Sequence, residues 1–328
     1  MVRKLFSRAG FLLGACLMLP AQGWAEQIVV SNYGVAANGM PYAVALEKGF
    51  FQKEGADVSG ILSSNGGGTT VRNLLGGDLA YGEIDLAGTV AAIAQGADLK
   101  IISDNVLTVG EFFWTVRPDS PIKTLQDFRG KKIGYTSPRS TSQAVNILLL
   151  ATAGMTPADV DLVKTGGHGE QAVALITGAI DVAALAEPVY SKNRDKMRVV
   201  VDATHALPAL CDLVGVTTGK AAAAKGDFIR AVIRARRDAV VFIYEHPDEA
   251  AAIIAKVYQL DLAVVRTVLG NLTASRVPVP YWGEGKFDIA GMDRMLAAQK
   301  SIGALDAAAD WTKIVDKSFL PDDLKANY

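Results

Sequence analysis

Gly167-His168-Gly169-Glu170-Gln171-Ala172 comes nearest to a chemical fingerprint in this chain. It fits G-x-G-x-x-A, follows an apolar run at residues 161–163 and opens a predicted helix, and Glu187 stands about twenty residues further on. That layout can place a pyrophosphate on a helix N-terminus and a carboxylate on a ribose hydroxyl, as in an NAD-dependent oxidoreductase. The same geometry offers backbone N–H groups to other small ligands. His168-Gly169-Glu170 also has the H-x-E spacing of zinc deaminases, but the later pair of Cys ligands is missing, and His205 and His246 lie far away, so no metal site is expected. No nucleophile elbow, P-loop or HExxH helix occurs, so no catalytic residue is assigned and the chain reads as a binder rather than an enzyme.

Small hydrogen-bonding residues gather at residues 65–70, at Gly88-Thr89, at residues 137–142 and at residues 166–169, each after an apolar run. In an open α/β sheet, ligands bind beyond the carboxyl ends of the strands. Thr89, Ser140 and Thr141 either donate to a ligand there or cap their own helices. Arg139 either grips an anion or faces solvent. Glu187, before Pro188, either binds a ligand amine or locks a hinge. Helix starts near Thr69, Thr89 and Ser140 favour an anionic group, whereas Glu187 opposes one; a zwitterion satisfies both. Arg230, Arg234, Arg236 and Arg237 read as the solvated face of a helix.

The elements that must hold these residues alternate. Strands are predicted at residues 28–31, 58–62, 132–135, 161–163, 182–186 and 213–217, with helical patterns between them and long helices at 228–244 and 247–258. This is the grammar of an α/β fold with mostly parallel sheets flanked by helices. Residues 74–82 and 175–183 echo one another as helix end, glycine turn and apolar strand. A linker-like Arg117-Pro118-Asp119-Ser120-Pro121 follows the apolar run that ends at Val116, so the chain is expected to leave a first unit near Trp114.

The length of 328 residues fits two domains, and 33 basic against 34 acidic residues leaves no electrostatic footprint for nucleic acid. Arg3, Lys4 and Arg8 precede an apolar run at residues 11–19, then Pro20 and Gly23-Trp24-Ala25, which is the pattern of an export signal cleaved after Ala25. Leu13-Gly14-Ala15-Cys16 allows an alternative in which Cys16 carries a lipid anchor. Cleavage after Ala25 leaves Cys211 as the single thiol, so no internal disulfide is possible.

Four stretches, in order, carry a family resemblance: Glu47-Lys48-Gly49-Phe50-Phe51-Gln52-Lys53-Glu54-Gly55; Gly88-Thr89-Val90-Ala91-Ala92-Ile93-Ala94-Gln95-Gly96; Leu125-Gln126-Asp127-Phe128-Arg129-Gly130-Lys131-Lys132-Ile133-Gly134; and Gly178-Ala179-Ile180-Asp181 through Glu187-Pro188. The chain resembles the periplasmic substrate-binding proteins of ABC transporters for nitrate, sulfonates, taurine and the thiamine pyrimidine precursor. The resemblance implies a two-lobed, type II-like clamshell, with residues 26–114 and 213–328 in lobe I and 115–212 in lobe II. It also implies a ligand pocket at Asn38, Asn65, Gly66, Thr89, Ser140, Thr141 and Glu187. The expected protein is a periplasmic monomer without cofactor that passes a small organic solute, a sulfonate, a carboxylate or a thiamine-precursor-like heterocycle, to a membrane permease. Arg139, where relatives often have Gly, and Ala80, where Asp is common, depart from the family pattern and leave the solute open.

Overall fold

Ile28, Val29 and Val30 form an apolar run with no polar alternation, which suits a strand covered on both faces, and all three are fully buried. They lie in β1 (Glu26–Ser31), which pairs in parallel with β2 (Val58–Ser64) and β3 (Gly82–Asp85). The computed structural model describes residues 26–138, 140–274, 279–306 and 309–326. The export signal, Cys16 and Arg139 lie outside these residues.

With β4 (Leu99–Val106), β10 (Leu213–Thr218) and β11 (Trp282–Gly285), the first sheet has the order β11-β4-β10-β3-β1-β2. The second contains β5 (Phe112–Val116), β6 (Lys132–Tyr135), β7 (Asp161–Lys164), β8 (Val182–Ala186) and β9 (Arg198–Asp202), in the order β7-β6-β8-β5-β9.

Both sheets follow one plan. A parallel triplet, β2-β1-β3 or β7-β6-β8, is flanked by an antiparallel strand, β10 or β5, which the chain enters just after crossing from the other sheet. The α/β class matches the reading of the sequence, and the sheets are mixed: the return strands β10 and β5 and the edge strand β11 run antiparallel to their neighbours. The expected first boundary, at residue 114, falls inside β5, whose partners β8 and β9 belong to the second sheet. The first crossing therefore runs between Val106 and Phe112, and the second between Asp202 and Leu213.

The long helix Gly226–Glu245 packs on the first sheet's unit against the helices Met40–Glu47 and Phe50–Glu54. Ile229, Val232, Ile233, Val240 and Ile243 recur at helical spacing and are essentially fully buried, each burial contributing ~1.5–3 kcal/mol. Arg236 lies within that stripe and is 2% exposed, so the basic stretch is not uniformly a solvated face. Around it, Arg234 pairs with Glu54, and Arg237 with Glu284 and Asp323. Among the described residues no helix is long and apolar enough to cross a membrane.

Candidate functional site

The joint between the sheets is lined by carboxyl groups in matching positions. Asp85 ends β3 and Glu187 follows β8, while Asp212 and Glu111 immediately precede the antiparallel neighbours β10 and β5. The backbone repeats the match: Leu86 N–H donates to the Asp212 carbonyl at 2.8 Å, and Glu187 N–H donates to the Glu111 carbonyl at 3.1 Å. Glu111, Glu187 and Asp212 are buried.

Each carboxyl has a different environment. Asp85 Oδ1 accepts from Gly88 N–H at 2.6 Å and caps the helix Leu86–Ala94. It also accepts from the Gly67 backbone, and a Cβ on Gly67 would overlap its Oδ2, so one carboxylate serves the starts of two helices, the second being Gly67–Gly76. Burial nevertheless raises its pKa. Glu187 accepts from Ser191 N–H at 3.2 Å, Ser191 Oγ at 2.8 Å and Asn271 Nδ2 at 2.6 Å, with burial again the main upward influence.

Asp212 Oδ1 accepts from the Thr141 hydroxyl at 2.8 Å, and burial, with the neighbouring charges of Asp85 and Glu83, pushes its carboxyl up to about 7. Glu111 is raised well above the ordinary range, by burial first and by Asp212 next. Its Oε2 has no hydrogen-bond donor. Two such carboxyls cannot both ionise cheaply, so the pair titrates as a unit and holds a proton.

His168 stands at the start of the helix His168–Ile176 with its ring edge-on to Phe112, centroids 5.5 Å apart. Burial pushes its pKa down to about 4, and the ring bonds the Ala184 backbone, leaving Nδ1 as a buried acceptor without a partner.

The residues read from the sequence distribute unevenly around this joint. Thr141 reaches Asp212 across it, and Ser140 caps the same helix by accepting from Gln143 N–H at 3.2 Å. Thr89 is buried and donates to the Asp85 carbonyl at 2.9 Å. Asn65 and Gly66 are exposed at the end of β2, where Gly66 takes a φ of 73° before the helix Gly67–Gly76 and its carbonyl accepts from Thr70. The Thr70 hydroxyl also bonds those of Ser31 and Ser64, at 2.7 and 2.6 Å.

Asn38 sits deeper. Its Nδ2 donates to the Ser31 carbonyl and to Glu83 Oε1, while Glu83 Oε2 accepts from Tyr42, Asn105 and Arg236. Arg236 further donates to the carbonyls of Gly283 and Asn105. Asn38 thus belongs to a buried network that joins β1, β3, β4 and the long helix.

At the G-x-G-x-x-A segment, Gly167 N–H donates to Glu170 Oε2 at 3.0 Å, so the helix start that a pyrophosphate would need already faces a carboxylate. Glu187, the would-be ribose reader, is held by Ser191 and Asn271. These contacts oppose dinucleotide binding. Reading the sequence missed Glu111 and Asp212; the available signal was a lone acid within an apolar run, Gly110-Glu111-Phe112-Phe113 and Leu210-Cys211-Asp212-Leu213. What the arrangement can do is hold a proton and accept hydrogen bonds. No group of three or more metal-ligating side chains occurs among the described residues.

Residues 36–250 match the sequence profile of a family described as NMT1/THI5 like. The chain belongs to that family. The matched residues span both sheets and include all seven pocket positions named above. A family relative from Bacillus subtilis (strain 168), named for aliphatic sulfonate binding, is 26% identical over 326 residues, covering 94% of this chain and 92% of its own length. A protein of Haemophilus influenzae named for thiamine biosynthesis is 25% identical over 255 residues, covering 73% of this chain and 76% of its own. In fold, the chain is similar to the periplasmic aliphatic sulphonate binding protein SsuA from Escherichia coli, with a TM-score of 0.74 at 18% identity over 88% of this chain and 91% of that one. This likeness confirms the two-sheet periplasmic-binding-protein architecture.

Proposed function

We propose that the protein is the solute-binding component of an ABC importer, which captures a small organic solute between its two lobes and delivers it unchanged to a membrane permease. The observation that carries this reading is the joint itself. Two sheets of one plan meet by their strand ends, and hydrogen bonds at the joint tie the two sides together, Thr141 to Asp212 from a helix start of the second sheet to the strand leading into the first, and Asn271 to the Glu187 that follows β8. Contacts that exist only when both sides touch a ligand would shift such a joint toward a closed population. The names of the Bacillus relative and the Escherichia coli neighbour support a sulfonate-bearing solute. The relative named for thiamine biosynthesis, together with the acceptor-rich joint, supports a nitrogen heterocycle as the second reading.

The mature protein begins at Glu26 and works in the periplasm, so intact-mass analysis of exported material should give that N-terminus, and a lipid-modified species at Cys16 would replace the soluble form with a tethered one. The direct test is a thermal-shift screen of the mature protein against alkanesulfonates, carboxylates and aminopyrimidines. A ligand specific to the folded state at 100 times its Kd adds ~2.7 kcal/mol of stability. The bound solute should be recovered chemically intact, and scattering should show a more compact particle. A chemically altered solute would make the protein an enzyme.

A further inference from the structure

We infer that Asn271 and Thr267, on the helix Leu262–Thr273, form a clasp with Glu187 and Arg194 of the second lobe that sets the angle between the lobes before any solute arrives. Asn271 is its positioning residue and acts through Glu187. The inference goes beyond the solute-binding reading and stands on contacts within the chain.

The two sides of the clasp have matching spacing. Thr267 and Asn271 lie four apart on one face of their helix, while Glu187 and Arg194 flank the short helix Val189–Asn193. Asn271 Nδ2 donates to Glu187 Oε1 at 2.6 Å and only grazes Ser191 Oγ, at 3.5 Å. Arg194 Nη1 donates to Thr267 Oγ1 at 3.1 Å. Val265, Val268, Leu269 and Leu272, on the apolar side of the longer helix, are buried. That helix packs against Pro247–Tyr258, which packs in turn on Met40–Glu47 of the first lobe. Asn271 therefore moves with the first lobe, and Glu187 moves with the second.

Glu187 gives the clasp its strength. Its side chain is 1% exposed and takes two donors from Ser191 in its own lobe and one from Asn271 across the joint. A buried carboxylate that loses a donor is left underbonded where water is scarce, so a rotation that draws Asn271 away is opposed. Glu187 N–H also donates to the Glu111 carbonyl, which places the clasp beside the first crossing of the chain, close to where the lobes must pivot. It makes a third tie beside the two crossings. The helix that carries Asn271 lies beyond residues 36–250, which the family profile matches, so family membership does not by itself imply the clasp.

The test is a distance measurement by pulsed electron paramagnetic resonance on the mature protein without solute. Spin labels go on Ser59→Cys and Lys164→Cys, exposed positions on β2 and β7, which hold equivalent outer places in the two sheets; Cys211 is buried and stays unlabelled. Asn271→Ala should raise the ratio of long to short distances about tenfold. Glu187→Ala should do the same, and the double variant should go no further than either one, because both act through one bond. Ser191→Ala, which removes a partner of Glu187 within its own lobe, should lower the melting temperature and leave the distances as they are. Circular dichroism and melting identify any variant that fails to fold; Arg194→Ala, at an exposed position, then decides through the second bond, with a smaller shift in the same direction. Unchanged distances in folded Asn271→Ala or, where that variant does not fold, in Arg194→Ala overturn the inference. So do additive shifts from Asn271→Ala and Glu187→Ala, or an equal shift in Ser191→Ala. The measurement uses no solute, so its failure leaves the solute-binding reading standing, and a failed solute screen leaves the clasp standing.

Discussion

The Thr141 hydroxyl donates to Asp212 Oδ1 at 2.8 Å, so the first residue of the helix Thr141–Thr152 on the second sheet is bonded to the residue that leads the chain back into the first. Thr141→Val removes the donor and leaves a buried carboxyl oxygen without it. The expected loss is ~1 kcal/mol in urea unfolding, with a larger radius of gyration in the unliganded protein. Unchanged stability and unchanged dimensions would show that the bond ties nothing together.

Stability should fall as pH rises through neutrality. Asp104 and Asp212 are both pushed up to about 7, chiefly by burial, whereas an unfolded aspartate ionises near ~3.9. Between those values the folded state keeps protons that the unfolded state has lost, so each group withdraws up to ~1.4 kcal/mol of stability per pH unit as pH rises. His168 acts in the opposite sense, since its pKa falls to about 4 on folding and its contribution is lost as pH drops below ~6.5. Above pH 6.5 the carboxyls act alone, and the urea midpoint should decrease between pH 6.5 and 8. His168→Phe should steepen the decline at lower pH. A midpoint that rises over the upper interval contradicts the assignment.

Glu83 and Arg236 are 0% and 2% exposed in the side chain and are bonded to each other at 3.2 Å. Glu83→Gln strands the guanidinium charge and should cost ~3–5 kcal/mol in urea unfolding. Combining it with Arg236→Met removes the stranded charge, so the double variant should be less destabilised than the two single effects together. Full additivity would mean that the two charges do not depend on each other.

A methyl group at Gly67 would collide with the Asp85 carboxylate, whereas one at Gly68 would meet only the tip of Arg72 at 3.8 Å. Gly67→Ala should therefore lower stability by ~1–3 kcal/mol, because Asp85 must leave the helix starts it serves. Gly68→Ala, one position on in the same helix, should be neutral or raise stability, as alanine suits a helix better than glycine. Equal effects at the two sites would exclude a role for Asp85 in holding the two helices.

The strand positions were legible where apolar runs are bounded by glycine or charge: residues 132–135 and 182–186 were read residue for residue. The echo between residues 74–82 and 175–183 falls at β3 and β8, which hold equivalent places in the two sheets. The boundary at 114 was not legible, because the run at residues 112–116 is equally apolar whichever sheet receives it. Arg236 was legible in principle, since it shares the helical period of Val232, Ile233 and Val240. For Asn38 and Thr89 the residue type announces a hydrogen bond but not its partner, and the bonds they make go to the protein itself, Asn38 to Ser31 and Glu83 and Thr89 to Asp85. Glu111 and Asp212 meet only through the fold, so no local pattern could pair them.

The strand β10 lies between β3 and β4, although the chain reaches it only after the whole second sheet. During synthesis, the first sheet's strands up to Val106 must wait, with the facing edges of β3 and β4 bare, until Leu213–Thr218 emerges and fills the gap. Such long-range closure slows folding. A protein cut short before residue 213 would keep an open sheet that invites association with other strands.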